Sequence, residues 1–413
     1  MGAAIRSPVR EILLATILTI ACTESAGPPA TPVELCAGLV TDTDPHPMTP
    51  LARPAVGVAV TDPEFGTNIR RITDVGAGGV LKPMYSTVPA WNADESYLIL
   101  YHTGDVSGRH ELYDGRTYQF IKVLNIEPAD LEQVYWHTAN PNTLYYVNRT
   151  QQALIRYDVV AGTKQTLHTF TCTGDVTSGG DPMFTSWDSR KIGLTCRQSA
   201  SQREVFAHDI GTGAEGPRLA TTLDVAPQPG PGGQLFYFMG DVLDASMSLV
   251  RSLDLGSPQE HASLGALANG HDTYNAVSFG GNHIGALVVH DLTDASARVV
   301  VGPATGYPYP PSGTHVSAVA YRQPGWVFVS SVGATPDGQA VLNNELYIAD
   351  ANPGGVVCRV AHHRSWAQSG PQGYWAEPHV VPSPSGTRLL FGSDWGGANT
   401  VNAYVVELPS YQP

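Results

Sequence analysis

Short apolar segments separated by polar turns dominate the chain after residue 65. In the clearest stretch, an apolar segment at 97–101 follows a polar turn at 92–94, and strand-like segments follow at 111–114 and 119–124. Segments rich in aromatic and β-branched residues and bounded by turn residues are typical of β-strands. Together with the preceding Pro89-Ala90-Trp91, they predict a unit of four short strands.

The same unit recurs along the chain. A second copy lies at 134–136, 144–147, 153–158 and 164–170, and a third begins at 182–184. Seven units are predicted to open near these anchors: Trp91, Trp136, Phe184, Ala226, Asp272, Val316 and Val380. Successive anchors are 42 to 48 residues apart except for the last step of 64. This period is typical of four-stranded propeller blades, and an insertion over 364–373 accounts for the long step.

The last unit ends one strand short at residue 408. A strand at 66–73 could supply the missing one, because pairing the two termini would close a ring and protect the sheet edges. The sequence therefore predicts an all-β fold, a seven-bladed β-propeller with a terminal Velcro closure. An eight-bladed ring and a pair of β-sandwiches remain as alternatives.

Composition agrees with an all-β fold, and net charge excludes some classes of binding partner. The 413 residues include 43 Gly and 32 Pro, which interrupt helices and suit many short strands. A hydrophobic share of 42% is enough for a core, so wholesale disorder is excluded. The formal net charge of −14 argues against nucleic acid or an anionic membrane surface as a main partner.

The N-terminal region is predicted to be an export signal followed by a tether. Residues 1–22 contain Arg6, Arg10 and an apolar run too short to span a bilayer, and they end at Cys22 in a lipobox-like context. Residues 23–64 are rich in Pro and Thr and are expected to form an extended tether. The propeller is expected over 65–413. The protein is thus predicted to be an envelope lipoprotein or a secreted protein, with membrane contact only through an N-terminal lipid.

Four cysteines remain if Cys22 carries lipid: Cys36, Cys172, Cys196 and Cys358. An oxidising compartment would allow three full pairings among them. The pair Cys172–Cys196 is preferred, and free buried thiols remain the alternative. Wide spacings make a zinc knuckle unfavourable.

Several segments resemble secreted propellers of the TolB-like and oligogalacturonate-lyase-like kind. They lie at 136–146, 324–327, 377–379 and 392–395. The resemblance implies a propeller over roughly 65–408. For the lyase group, it also implies β-elimination of uronate oligosaccharides with His ligands to a divalent metal. The expected cofactor is a divalent metal, manganese or calcium. The usual motif there has a Gln followed by paired His, whereas this chain has Glu377-Pro378-His379.

Three predicted blades place a histidine near the start of their first strand: His271, His315 and His379. Because first strands line the channel of a propeller, these imidazoles could converge on one metal, with Glu377 or Asp272 as an oxygen ligand. They could also act as general acid or base, or simply hydrogen-bond to neighbouring blades.

Residues near the ends of second strands should reach the same face. His102, Arg197 and Tyr274 are the candidate catalytic residues, because an Arg and a metal suit a uronate carboxylate and a His or Tyr could remove the adjacent proton. Trp136, Trp187, Trp375 and Trp395 could stack on sugar rings or pack between blades. No serine-hydrolase, zinc-protease or nucleotide-binding motif occurs.

The sequence therefore supports two functional hypotheses. The first is an exported carbohydrate-active propeller, a polysaccharide lyase that cleaves uronate-containing glycans. The second is a non-catalytic envelope propeller that binds a protein or a glycan.

Overall fold

Seven antiparallel sheets make up the computed structural model, which describes residues 33–258, 260–310, 314–333 and 337–412. Six sheets have four strands in sequential order, and we call them blades one to six. Blades one to three comprise β3 (Val80–Lys82), β4 (Tyr97–Thr103), β5 (Arg109–Asp114), β6 (Phe120–Val123); β7 (Val134–Trp136), β8 (Thr143–Asn148), β9 (Ala153–Asp158), β10 (Thr163–Thr169); and β11 (Val176–Thr177), β12 (Lys191–Arg197), β13 (Arg203–Asp209), β14 (Leu219–Thr221). Blades four to six comprise β15 (Gln228–Pro229), β16 (Leu235–Phe238), β17 (Asp241–Asp244), β18 (Leu249–Ser252); β19 (His261–Ala266), β20 (Asp272–Val277), β21 (Leu287–Asp291), β22 (Ala297–Val301); and β23 (His315–Ser317), β24 (Trp326–Ser330), β25 (Glu345–Asp350), β26 (Val357–His362).

Blade seven joins the two ends of the chain. Its first three strands are β27 (Val381–Pro382), β28 (Arg388–Ser393) and β29 (Asn402–Glu407), and β2 (Asn68–Arg71) and β1 (Ala59–Thr61) complete the sheet. Ile69 of β2 pairs antiparallel with Val406 of β29. The seven-bladed ring and its Velcro closure are thus confirmed.

Apolar side chains between neighbouring sheets form the core. Large rings also hold neighbouring segments by hydrogen bonds: Trp136 Nε1 of blade two donates to the Ala90 carbonyl at 2.9 Å. Blades seven and one are further joined by the buried Arg388, whose Nη2 lies 2.6 Å from Glu95 Oε2. Ring closure therefore rests on an ion pair as well as on strand pairing.

The segment from residue 33 to 58 differs from the free tether that composition predicted. Cys36 is disulfide-bonded to Cys358 of β26, and Val40 forms a β-bridge with Arg359. Further along, Trp395 Nε1 donates to the Leu51 carbonyl at 3.0 Å. The propeller edge thus provides partners that composition does not reveal.

The preferred disulfide, Cys172–Cys196, is also present. The predicted insertion before blade seven, 364–373, contains the 3-10 helix Ala367–Ser369, and a second 3-10 helix, Gly373–Ala376, begins at its last residue. Two others lie at Gly281–His283 and Pro303–Thr305. Within the described residues no helix is long and apolar enough to cross a membrane. The predicted export signal lies outside the described residues.

Candidate metal-binding and catalytic site

Loops entering the first strands of the blades meet at one end of the central channel, which we call the mouth. His261 and His315 begin β19 and β23, while Glu377 and His379 precede β27. Because first strands are innermost in a propeller, side chains at their starts approach the channel from different blades. The ring centroid of His315 lies 4.5 Å from that of His261 and 4.1 Å from that of His379. Three blades thus supply one cluster.

His315, Glu377 and His379 form a group in which one ligand atom from each residue lies within 4.8 Å of the others. Glu377 Oε2 is 3.5 Å from His315 Nε2 and 3.9 Å from His379 Nε2. Neither of these nitrogens has a hydrogen-bond partner among the described residues. Burial holds the pKa of both histidines well below its usual range, so both rings are neutral. Two neutral imidazoles and a carboxylate fit a divalent metal.

Surrounding residues orient this group. Gln368 Nε2 donates to Glu377 Oε1 at 2.7 Å, which leaves Oε2 facing the two histidines. Tyr85 and Tyr374 pack against His379, with ring centroids at 5.2 and 5.3 Å. Such contacts around a ligand set fix ring orientation and exclude water.

Lys82 is fully buried behind His379. Its Nζ lies 2.7 Å from the Glu377 carbonyl, 3.2 Å from the Trp375 carbonyl and 2.7 Å from His379 Nδ1. Desolvation lowers the pKa of Lys82 to about 8, opposed by the charges of Glu132 and Glu377. Above pH about 8, where Lys82 loses its charge, it would donate to both carbonyls and accept from Nδ1–H. The lone pair on His379 Nε2 is then available to a metal.

His261 is suited to move a proton. Its Nδ1 lies 2.9 Å from the Thr314 carbonyl, and a carbonyl can only accept, so Nδ1 carries the hydrogen. In the neutral ring, Nε2 then bears the lone pair, as a general base requires. The ring is partly exposed at the mouth, stacked on His315 with an interplanar angle of 16°.

Carboxyl and aromatic groups complete the mouth. Glu132 lies just before β7, and Asp181 lies between β11 and β12, close enough to His261 for the two charges to interact. Desolvation raises the pKa of both carboxyls, that of Glu132 to about 7. The segment before blade seven contributes three exposed rings, Trp366, Tyr374 and Trp375, at 42%, 41% and 43% exposure.

His271 does not join this site. The segment Asp272–Val277 is the second strand of blade five, not the first as predicted, so His271 lies in the loop at the other end of the channel. There its Nδ1 is 2.7 Å from Asp291 Oδ2. Asp272 accepts a hydrogen bond from the Gly232 N–H at 2.8 Å, and the only member of the predicted ligand set whose charge acts on it, among the described residues, is His271.

His261 takes the place that the sequence assigned to His271. The small residues of β19 hid this strand from a hydrophobicity pattern. One signal was available, because Asn269-Gly270 is a typical hairpin turn, and a strand after such a turn is the second of its pair.

The three predicted catalytic residues lie outside the cluster. His102 is held between Glu111 at 2.8 Å and Asp105 at 2.7 Å. The side chain of Arg197 is half exposed, 3.8 Å from Asp175.

Tyr274 belongs to the interior of the fold rather than to the mouth. It is buried in the second strand of blade five, and its ring stacks on Tyr237 with centroids 4.0 Å apart. Sequence placed His102 and Arg197 near the ends of second strands and Tyr274 in the predicted first strand of blade five. It could not tell which face of the sheet each side chain occupies.

Among the four predicted sugar-stacking tryptophans, only Trp375 is largely exposed beside the cluster. Trp136 is buried in the core. Trp187 packs near Tyr321, and Trp395 stacks on Tyr404 at 4.8 Å. Trp366, which was not singled out, joins Trp375 as an exposed ring.

Comparisons with known proteins bear on the fold. No family model and no curated protein matches the chain. An oligogalacturonate lyase solved in complex with manganese is 16% identical, with 85% of this chain and 96% of that chain covered and a TM-score of 0.61. An oligogalacturonate lyase from Vibrio parahaemolyticus is 14% identical, with 86% of this chain and 97% of that chain covered and a TM-score of 0.60. TolB from Acinetobacter baumannii is 13% identical over 76% and 80% of the chains, but its TM-score of 0.38 carries no argument. At these identities, the two lyases show that the fold is shared.

Proposed function

We propose that this protein is an exported, metal-dependent lyase that cleaves uronate-containing oligosaccharides by β-elimination. The observation that carries the proposal is the convergence of His261 with the His315–Glu377–His379 group at one end of the channel. A base beside a metal-binding group is what proton abstraction next to a carboxylate needs. The fold shared with oligogalacturonate lyases supports a glycan substrate.

Each part of the site has a role in this reaction. A divalent metal, when bound, would neutralise the uronate carboxylate and make the adjacent C5–H more acidic. His261 Nε2 removes that proton, while the Thr314 carbonyl holds Nδ1–H and fixes the ring. Tyr85 and Tyr374 limit water around His379. The net charge of −14 opposes long-range attraction of a polyanion, which favours short oligosaccharides over polymers.

Export is part of the proposal. The disulfides Cys36–Cys358 and Cys172–Cys196 support an oxidising compartment, where such bonds form and persist. A lipid on Cys22 would retain the protein at the envelope. Metabolic labelling with a fatty acid, compared between the native chain and Cys22→Ser, would detect or refute that anchor.

The lyase is tested by incubating metal-loaded protein with oligogalacturonate and following absorbance of the unsaturated product. His261→Ala is expected to lower kcat by about 10²- to 10⁴-fold, the usual contribution of a general base. His271→Ala is the matched control and should stay close to native activity, because that side chain lies at the other end of the channel. Equal activity of His261→Ala and the native protein would refute the role of His261.

A non-catalytic glycan-binding propeller is the second candidate. The exposed rings of Trp366 and Trp375 favour it, because aromatic faces beside a cleft can bind sugars without any reaction. Calorimetric binding of oligogalacturonate, with no unsaturated product over the metals tested, would establish binding and reject the lyase.

A further inference from the structure

Glu132 lies across the channel from His261. It lies just before β7 in blade two, whereas His261 begins blade five. In a ring of seven blades, two blades separate them on one side and three on the other, so they approach the channel from across it. A substrate in the mouth would therefore lie between them.

β-Elimination needs an acid as well as a base. The oxygen that leaves C4 carries the electron pair of the broken bond and must be protonated. In a galacto-configured uronate, the C5 proton and the C4 oxygen lie on opposite faces of the ring. Acid and base must then come from opposite sides, as the placement of Glu132 and His261 provides.

The surroundings of Glu132 suit a proton donor. Its side chain is partly exposed, and its Oε1 is buried without a hydrogen-bond partner among the described residues. Glu132 interacts electrostatically with these charged and titratable groups: Lys82, Tyr85, Tyr101, Asp130 and Tyr374. Desolvation raises the pKa of Glu132 to about 7 against the pull of Lys82, so a sizeable protonated fraction exists near neutral pH.

We propose that Glu132 donates the proton to the leaving glycosidic oxygen, an inference that rests on the proposed lyase function. The C5–H bond breaks and its proton goes to His261 Nε2, while its electron pair forms the C4–C5 double bond. The C4–O4 bond breaks with its pair on O4, which takes the proton of Glu132. The proton on His261 then returns to Glu132 through solvent, and nothing is oxidised or reduced.

The experiment compares two leaving groups in the full-length protein loaded with manganese. One substrate is oligogalacturonate, and the other is a 4-deoxy-4-fluoro-galacturonide, whose fluoride leaves without a proton. Glu132→Gln should lower kcat/KM about 10²- to 10⁴-fold on the oligosaccharide but only a few-fold on the fluoride. The native alkaline limb, a fall in kcat/KM as pH rises through about 7, should be absent in Glu132→Gln. Manganese binding by calorimetry should be unchanged in the variant, which reports an intact site.

Asp181→Asn is the matched comparison, because Asp181 is another carboxyl at the mouth. An equal loss on both substrates in Glu132→Gln, or a loss confined to the oligosaccharide in Asp181→Asn, would overturn the role of Glu132. Native protein that forms product from neither substrate would instead overturn the proposed lyase, and this inference with it. The two failures are therefore distinguishable.

Discussion

Glu377→Gln tests directly whether the His315–Glu377–His379 group binds a divalent cation. The substitution keeps side-chain shape, and an amide oxygen can still accept the 2.7 Å hydrogen bond from Gln368. What changes is the negative charge that faces His315 Nε2 at 3.5 Å and His379 Nε2 at 3.9 Å.

The magnitude follows from the charge that is lost. Two unit charges about 4 Å apart interact by about 4 kcal/mol at an effective dielectric constant of 20, and a divalent ion doubles the attraction. Part of this gain is offset in the native protein, because desolvation disfavours the charged form of Glu377 and raises its pKa. We expect a net loss of about 2–4 kcal/mol, which is roughly a 30- to 700-fold weaker Kd.

The assay is calorimetric titration of manganese into chelator-treated protein at constant pH. Glu260→Gln is the matched control, because Glu260 is a partly buried carboxyl next to His261 but outside the group. Its affinity should stay near the native value. Binding by Glu377→Gln within threefold of native, or equal weakening in both variants, would refute the reasoning.

Three further predictions concern metal binding, the ion pair between blades seven and one, and the disulfide Cys36–Cys358. Saturating manganese at 100 times its Kd should stabilise the native protein by about 2.7 kcal/mol in calorimetric unfolding, and His379→Ala should lose this shift. Arg388→Met should lower the free energy of unfolding in urea by about 3–5 kcal/mol, since the buried Glu95 is left unpaired, and adding Glu95→Gln should recover part of it. Replacing Cys36 and Cys358 by Ser should cost about 2–4 kcal/mol and speed hydrogen exchange over 33–58; unchanged exchange there would contradict the role of this disulfide.

The local pattern of apolar and turn residues was enough to predict most strands of the fold. The aromatic and β-branched run at 97–101 and the matching run at 144–147 became second strands of blades one and two. The strand at 66–73 contained β2, and its pairing with β29 follows from the missing strand of the last unit. Strand period and turn chemistry are properties of neighbouring residues, so the sequence displays them directly.

In blade five, the local pattern led to a wrong assignment of the first strand. Its first strand, His-Ala-Ser-Leu-Gly-Ala, is built from small residues, so the stronger pattern of its second strand was taken as the start of the blade. The resulting shift exchanged the two ends of the channel and put His271 in place of His261. Consecutive strands of a blade run in opposite directions, so mistaking the second strand for the first exchanges the two ends of the channel. Hydrophobicity alone does not distinguish a first strand from a second.

The sequence by itself determined the repeat, the ring closure, and the presence of His315, Glu377 and His379 at blade entries. Only the tertiary structure decided which side chains meet there. Lys82 touches His379 across 297 residues of chain, and no spacing rule connects them. Nor does composition show that residues 33–58 pack on the propeller edge. Such contacts depend on how seven sheets are arranged around one axis, and that arrangement is set by packing between blades rather than by any local segment.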